Sequence, residues 1–342
     1  MSAHPKVLLL LDAQPSHINQ LRTAGAAEVR QGPVLHEPGQ PIDPALLRGV
    51  ECILCDFLPG NLDDCDSLKM VQLGSAGYSQ VFGLPLVARG IRACNGLGNF
   101  DVPIAEWNVM NLIMWQRGML EMQQNQRNAV WDRSARFQSE LRGSVVGLFG
   151  YGGMARETAR LIRNMGMQVW ALTRDGSVKS RGNNYRVEGT GDPDGTLCHR
   201  TFSMSQKAEF LAGLDYLILA MPITPVTAGI VTESDLKSLK PSAVLLNPAR
   251  AGLVEESVLI RCLREKWIRG ASIDVHYAYP LPPEHPLWHL PNVILTPHIA
   301  GSGQSTHFQE RIYDIFTQNL ARYCSGRPLL NELSPEQIEG KV

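Results

Sequence analysis

The feature that most constrains the fold of this sequence is the stretch VVGLFGYGGMARETARLIRNMGMQVWAL, which runs from Val145 to Leu172. It joins an apolar run of strand length, a glycine-rich turn, an amphipathic helical segment and a second apolar run in direct succession. Strands linked through a helix in this way pair in parallel, and a parallel sheet is covered by helices on both faces. The stretch therefore predicts an α/β fold.

The turn inside this unit reads Gly150-x-Gly152-x-x-Ala155. Gly150 permits a tight exit from the strand, Gly152 lets the backbone approach a diphosphate, and the small Ala155 permits close helix packing. The N–H groups of Gly153 and Met154 then lie at the helix start, where the helix dipole favours phosphate. The pattern predicts a dinucleotide-binding site, and an ordinary glycine-rich turn is the alternative.

The second strand of the unit ends in VWALTRDG, and its tip indicates which dinucleotide binds. Sites that prefer NAD place Asp or Glu there, to accept hydrogen bonds from the adenosine ribose. Thr173 holds that position and Arg174 follows it, whereas Asp175 lies slightly further along. Without the carboxylate a 2′-phosphate is not repelled, and an arginine pairs with it. We therefore predict NADP rather than NAD as the preferred cofactor, with a lower KM for NADPH than for NADH.

The rest of the chain alternates apolar runs of strand length with helical segments. The other predicted strands are VLLLL, ECILCDF, MVQLGSAG, YLILAM, AVLLNPA, GASIDV and VILTPH. Residues 102–129 are predicted as one long interdomain helix, and residues 305–324 as a helix that returns to the first domain. The stretch from Gly176 to about Ser205 is rich in Gly, Asn and Asp, which predicts a functional or mobile loop.

Composition excludes several kinds of partner. Among the 342 residues, 32 basic and 33 acidic side chains leave a formal net charge of -1, too little to attract nucleic acid or an anionic membrane. The apolar runs are all far shorter than a membrane span. The seven cysteines lack framework spacing, and CILC is interpreted as a buried strand rather than a metal or redox site. We expect a cytoplasmic protein that binds small molecules, and no metal, nucleic acid or membrane.

Several motifs follow one another in an order that is specific to one family. They are GSAG, IAEW, the dinucleotide-binding unit, MPITPVTAGIV, LNPARAGLVEE, ASIDV and NVILTPHIAG. With them the sequence resembles the D-isomer-specific 2-hydroxyacid dehydrogenases over nearly its whole length. The resemblance implies two Rossmann-like, doubly wound domains and a homodimer. Residues 1–105 and 299–342, from both chain ends, would form a flavodoxin-like substrate-binding domain, and residues 106–298 the dinucleotide-binding Rossmann domain.

The resemblance also implies an NAD(P)-dependent oxidoreductase that interconverts a 2-ketoacid and a D-2-hydroxyacid by hydride transfer, used mainly as a reductase. Arg250, in NPARAG, matches the arginine that binds the substrate carboxylate and polarises the keto oxygen, which suits a planar, permanently charged group. His298, in TPHIAG, matches the histidine that donates a proton to that oxygen, and a pKa of about 6.5 allows both protonation states. A surface arginine and a capping or core histidine are the alternatives.

Three further loops match binding loops of the family. One of them holds the substrate carboxylate by backbone N–H groups and shapes the pocket with a tyrosine; its residues here are Ser75, Ala76, Gly77 and Tyr78. Asp274, at the end of ASIDV, matches the acid that holds the nicotinamide carboxamide. Pro222 and Thr224 match the loop that lines the nicotinamide ribose. Plain turn chemistry is the alternative, because glycine, proline and serine also favour turns.

The sequence departs from the family beside both catalytic positions. Ala251 follows Arg250 where the family usually has glycine. In DVHYAYPLPPEHPLW, Tyr279 stands where the family has a glutamate that pairs with the histidine and raises its pKa. A tyrosine is neutral at physiological pH and only hydrogen-bonds, and Glu284 is a more remote substitute. We therefore predict that the pKa of His298 is less elevated than in relatives with the glutamate.

Two other functions stay open at this point. A formate- or phosphite-type dehydrogenase removes hydride from a small anion and depends less on a tuned acid/base, so a neutral partner for the histidine suits it. A dinucleotide-sensing scaffold, like the corepressors that share this fold, needs no turnover. The presence of both Arg250 and His298 argues against the scaffold, although fold alone does not exclude it.

Overall fold

The computed structural model describes residues 4–341, which contain two β-sheets. The strands are β1 (Lys6–Leu9), β2 (Glu28–Gln31), β3 (Cys52–Cys55), β4 (Met70–Leu73), β5 (Arg92–Cys94), β6 (Val145–Phe149), β7 (Gln168–Leu172), β8 (Arg200–Phe202), β9 (Tyr216–Leu219), β10 (Val244–Asn247), β11 (Gly270–Ile273) and β12 (Val293–Leu295). The helices are α1 (Pro15–Thr23), α2 (Pro44–Leu47), α3 (Asp101–Gln116), α4 (Met119–Arg127), α5 (Gly153–Asn164), α6 (Lys207–Ala212), α7 (Glu233–Ser238), α8 (Glu256–Arg264), α9 (Thr306–Cys324) and α10 (Pro335–Ile338). Within residues 4–341, no helix is both long and apolar enough to cross a bilayer.

The first compact unit comprises residues 4–99, 182–187 and 304–341. Its sheet has the order β2-β1-β3-β4-β5, with all neighbouring strands parallel. This is the flavodoxin-like order. Helix α9, near the end of the chain, packs against α1, so both chain ends build this unit.

The second compact unit comprises residues 100–181 and 188–303. Its sheet has the order β12-β11-β10-β9-β6-β7-β8, again with all neighbours parallel. This is the Rossmann order with one additional strand at an edge, and the strand order reverses between β6 and β9. The predicted fold class, two doubly wound α/β domains with one of them flavodoxin-like, is confirmed. In such sheets ligands bind beyond the carboxyl ends of the strands near this reversal.

The central strands are apolar because both faces of each sheet are covered. In β1, Val7 belongs to the core cluster on one face and Leu8 to the cluster on the other. Cys52 and Cys55 of β3 divide in the same way, and both are fully buried. CILC is therefore a core strand, as predicted. Burial on both faces explains why these strands appear in the sequence as continuous apolar runs.

The predicted single helix over residues 102–129 is wrong, because the chain forms two helices there. Helix α3 ends at Gln116 and α4 begins at Met119. Gly118 separates them with a φ of +64°, a left-handed conformation that suits glycine. A Cβ at Gly118 would also collide with Phe137.

Strands β2, β5 and β8 were missed from the sequence, and each lies at an edge of its sheet. Their sequences, EVRQ, RAC and RTF, are short and carry polar residues. Strand β8 lies within the predicted 176–205 loop, so the irregular part of that loop is shorter. It is called the 176–199 segment below.

Candidate active site

The predicted functional residues of the second unit follow the carboxyl ends of its strands. Arg250 comes shortly after β10, Asp274 directly after β11, and His298 shortly after β12. These strands are neighbours, so their ends lie side by side. The glycine turn follows β6 and Thr173 follows β7, on the other side of β9. One edge of this sheet therefore carries both the predicted catalytic groups and the predicted nucleotide site.

The Asp274 carboxylate holds the loop that contains His298, residues 296–300, which we call the His298 loop. Oδ1 of Asp274 accepts hydrogen bonds from the Thr296 hydroxyl (2.5 Å) and the Ile299 N–H (2.9 Å). Oδ2 accepts one from the Ala300 N–H (3.0 Å). Only 1% of Asp274 is exposed. Both carboxylate oxygens are thus used inside the protein, which makes Asp274 a positioning residue, and its predicted contact with the nicotinamide carboxamide stays a prediction.

His298 itself has a φ of +59°, in the left-handed region. A non-glycine residue in this region costs roughly 1–3 kcal/mol. Hydrogen bonds to a charged group contribute roughly 1.5–3 kcal/mol each, so the Asp274 network outweighs the strain. The side chain is exposed rather than packed in the core. This placement argues against a core histidine and presents the imidazole to a ligand.

The surroundings of His298 depress its pKa below the ordinary value of 6.5. Desolvation is the largest cause, the charges of Arg250 and His276 act in the same direction, and Asp274 opposes them. The Tyr279 ring lies 5.5 Å from the His298 ring, but its hydroxyl accepts the His276 N–H (3.1 Å). Tyr279 thus lies beside His298, but the hydrogen bond that its hydroxyl accepts comes from His276.

Arg250 is exposed, and its backbone is fixed by Asn247. The Asn247 side-chain amide donates to the Arg250 carbonyl (2.9 Å) and accepts from the Arg250 N–H (3.3 Å). Nη1 of Arg250 donates to the Ala249 carbonyl (2.7 Å). A guanidinium has five N–H donors, so most of its capacity is left for a carboxylate. Ala251, in place of the usual glycine, begins a short 3-10 turn.

The glycine turn forms a cradle that fits the diphosphate of a dinucleotide. Gly150 has a φ of +89°, and a Cβ there would lie 2.5 Å from the Ala220 carbonyl oxygen. A Cβ at Gly152 would meet nothing within 4 Å, so the backbone is open to a ligand at this point. Helix α5 then begins with Gly153 and Met154, whose N–H groups lie in its first turn.

At the tip of β7 the carboxylate of Asp175 is used within its own turn. Its Oδ1 accepts from the Ser177 N–H (3.0 Å) and hydroxyl (2.7 Å), and Oδ2 lies 3.7 Å from the Lys179 ammonium. The Thr173 hydroxyl donates to the Ser177 carbonyl (3.1 Å). Arg174 is exposed. The charged group that this tip leaves available to a ligand is therefore the guanidinium.

Three further predicted residues, Pro222, Thr224 and Tyr78, make local contacts. In the loop after β9, the Thr227 hydroxyl donates to the Pro222 carbonyl (2.8 Å) and accepts from the Thr224 N–H (2.7 Å). These are turn contacts, of the kind expected from the alternative interpretation of this motif. In the first unit, the Tyr78 hydroxyl lies 3.4 Å from the Gln337 side-chain nitrogen.

The predicted substrate-binding loop lies in the first unit, directly after β4. The carbonyl of Ser75 accepts from the Gly96 N–H (2.7 Å), and that of Ala76 from the Asn95 side chain (2.7 Å). The Gly77 carbonyl accepts from the Ser75 hydroxyl (2.7 Å). Because the carbonyls of this loop accept hydrogen bonds within the protein, its backbone N–H groups are the donors that it offers to an anion.

The contacts that support the predicted catalytic pair were not identified from the sequence. Trp107, on α3, donates from its indole N–H to the Thr296 hydroxyl (3.1 Å), and Nε2 of His276 lies 2.8 Å from the Thr296 carbonyl. Asn247 fixes the backbone of Arg250. Thr296 and Asn247 belong to TPHIAG and LNPARAG, so the motifs contained the signal, but their partners are distant in sequence.

Comparison with known proteins identifies the family of this chain. The sequence model for the NAD binding domain of the D-isomer specific 2-hydroxyacid dehydrogenases matches residues 109–300. The chain is similar to the (S)-sulfolactate dehydrogenase of Chromohalobacter salexigens, with 31% identity over 229 residues that cover 66% of this chain and 67% of the relative. It is also similar to the glyoxylate reductase of Thermofilum pendens, with 27% identity over 322 residues, 90% of this chain and 88% of the relative.

Among solved structures, it is similar to an NADPH-dependent glyoxylate/hydroxypyruvate reductase from Sinorhizobium meliloti in complex with NADP and malonate. The TM-score is 0.67 and the identity 27%, with 97% of each chain covered. The strand orders, the glycine cradle and the matched motifs agree with this relationship. The chain therefore belongs to the D-isomer specific 2-hydroxyacid dehydrogenases, NAD(P)-dependent oxidoreductases that interconvert 2-ketoacids and 2-hydroxyacids.

Proposed function

We propose that this protein reduces a 2-ketoacid to the D-2-hydroxyacid with NADPH, and that Arg250 and His298 are its catalytic residues. The observation that carries the proposal is the Asp274 network, which holds an exposed His298 in a strained conformation next to the strand end that carries Arg250. Strain of this kind clusters at sites of chemistry. It supports turnover rather than a purely sensing role.

Each group has a defined task in this proposal. A nicotinamide cofactor, when bound, would supply the hydride that reduces the carbonyl carbon. The Arg250 guanidinium binds the substrate carboxylate and polarises the keto oxygen, and protonated His298 donates its proton to that oxygen. Asp274 keeps the imidazole in place, and the Tyr279 ring packs beside it. In the first unit, the N–H groups of residues 75–77 bind carboxylate and Tyr78 shapes the surface around them.

For the cofactor, we propose that Arg174 pairs with the 2′-phosphate of NADPH beside Thr173. The engagement of Asp175 with Ser177 supports this, because it keeps the nearby carboxylate in its own turn. The nicotinamide end of the proposed cofactor site is formed by Asp274, which holds the His298 loop, and by the loop of Pro222 and Thr224.

The test is to incubate the purified protein with NADPH or NADH and a panel of 2-ketoacids, and to follow the loss of reduced-cofactor absorbance. We expect turnover with at least one ketoacid and a lower KM for NADPH. Tight cofactor binding without turnover would favour the scaffold instead. Oxidation of formate or phosphite by NADP, with no ketoacid reduced, would favour the small-anion dehydrogenase.

We further propose a cytoplasmic homodimer in which the first unit binds substrate and the second the dinucleotide. Beyond α4 the chain exposes 88% of Trp131 and 52% of Val130, an apolar surface that a second copy would cover. All seven cysteines are free thiols, which suits a reducing compartment. Analytical ultracentrifugation is expected to give the dimer mass, and Trp131→Glu a monomer. A monomeric wild-type protein would contradict this assembly.

A further inference from the structure

The 176–199 segment is fastened to the helix that carries the glycine turn. The buried Arg156 of α5 donates hydrogen bonds to the carbonyls of Lys179 and Asp192. The neighbouring Glu157, also buried, accepts from the Gly191 N–H (2.6 Å). A stretch of chain with loop composition is therefore bound to α5 at two places, and these anchors fix the residues beside them.

Arg181 follows the first anchor closely and lies against the start of α5. Its Nη1 lies 3.2 Å from Oδ2 of Asp101, the first residue of α3. A Cβ at Gly153 would collide with both of these side chains, so the ion pair lies directly on the first residue of α5. Only 16% of the Arg181 side chain and 13% of the Asp101 side chain are exposed. The guanidinium thus has a defined place next to the cradle.

The positive charge of Arg181 lies beside the N-terminus of α5. The N-terminus of a helix carries a partial positive charge, so a cation beside it is unfavourable unless an anion lies between or next to the two. In the structure, Asp101 is that anion. The N–H groups of the first turn and a guanidinium converging from a second segment are together suited to an anion larger than a carboxylate, since a guanidinium offers paired donors to phosphate oxygens.

We propose that Arg181 is a ligand of the cofactor's diphosphate, and that Asp101 and the two α5 anchors position its guanidinium; this rests on the proposed binding of the dinucleotide at the glycine turn. This assigns a function to the 176–199 segment, which supplies a charged phosphate ligand, whereas the glycine turn supplies backbone N–H groups. Arg181 and Arg174 thus bind different phosphate groups of the cofactor. Arg181 lies at the diphosphate, which NADH and NADPH share, whereas Arg174 lies at the tip of β7, beside the adenosine ribose.

The test measures the Kd of NADPH and of NADH with the full-length, cofactor-free protein, by calorimetry or by quenching of tryptophan fluorescence. Arg181→Gln is expected to raise both Kd values by the same factor, about tenfold or more, because a charge-assisted contact is lost. Arg181→Lys, which keeps the charge, is expected to fall between the wild type and Arg181→Gln. Inorganic pyrophosphate should compete with both cofactors in the wild-type protein and much more weakly in Arg181→Gln.

Arg186→Gln is the matched control, because it removes the same charge from an exposed position of the same segment. It is expected to leave both Kd values within about twofold. The proposal is overturned if Arg181→Gln behaves like this control. It is equally overturned if Arg181→Gln weakens NADPH alone, which would place Arg181 at the 2′-phosphate, or if pyrophosphate competes as well with the variant as with the wild type.

Discussion

Two halves of the second sheet place their functional groups by different physical means. In the catalytic half, the loops after β10, β11 and β12, one buried carboxylate, Asp274, fixes the His298 loop through both of its oxygens. In the nucleotide half, the loops after β6 and β7, glycines leave backbone open at Gly152, and arginines carry the charge. A buried network couples its members, whereas separate charges act on separate parts of a ligand. Substitution of the buried carboxylate at the centre of the catalytic network should change several properties together, whereas substitution of a single charge in the nucleotide half should change one property.

The largest expected effect comes from His298→Asn. Asparagine tolerates a positive φ, so the loop should keep its conformation while the acid/base group is lost. We expect kcat/KM for ketoacid reduction to fall by about 10²–10⁴-fold with an unchanged Tm and unchanged cofactor Kd. Steady-state kinetics and thermal denaturation measure this. Activity within tenfold of the wild type would remove His298 from the chemistry.

Asp274→Asn tests the coupling within the catalytic half. The amide offers one acceptor oxygen and turns an NH₂ group toward a donor, so the His298 loop should relax. We expect kcat/KM to fall by about 10²-fold and the free energy of unfolding to drop by about 1–3 kcal/mol. Denaturant unfolding and kinetics are measured together. Asp175→Asn, at an exposed carboxylate of the nucleotide half, is the control, and equal losses of stability in both variants would contradict the contrast.

Arg174→Gln tests the independence of charges in the nucleotide half. Loss of the pairing with a 2′-phosphate is expected to raise the KM for NADPH by roughly tenfold and to leave the KM for NADH unchanged. Kinetics with each cofactor at saturating ketoacid measure it. If both KM values rise together, Arg174 does not discriminate between the cofactors.

The smallest effect expected is a shift in the pH profile. In the proposed mechanism reduction requires protonated His298, so kcat/KM should be full at low pH and should fall as pH rises through a pKa below 6.5. Tyr279→Glu adds a carboxylate beside the imidazole and should move this fall upward by about one pH unit or less, since 60% of Tyr279 is exposed to screening solvent. Tyr279→Gln, without the charge, should leave the profile in place. Identical profiles for the two variants would mean that position 279 does not act on His298 electrostatically.

The elements that could be predicted from the sequence are those whose cause lies in contiguous residues. The central strands were found because burial on both faces makes each one an apolar run. Strands β2, β5 and β8 were missed because an edge strand has a neighbour on one side only, which permits polar residues and short lengths. The break between α3 and α4 was missed because a glycine within a helical pattern costs too little to mark a boundary by itself.

The sequence by itself determined the fold class and the identity of the candidate groups. Steric freedom at Gly150, an apolar run and a short motif are properties of contiguous residues, so one stretch of chain is enough to indicate them. Only the tertiary structure decided what those groups do to one another. The carboxylate of Asp274 holds a loop that begins after the next strand, the Tyr279 hydroxyl bonds to His276 rather than His298, and Arg181 lies on Gly153. Each of these contacts joins a side chain to another part of the folded chain, and its energy depends on distances that no sequence pattern contains.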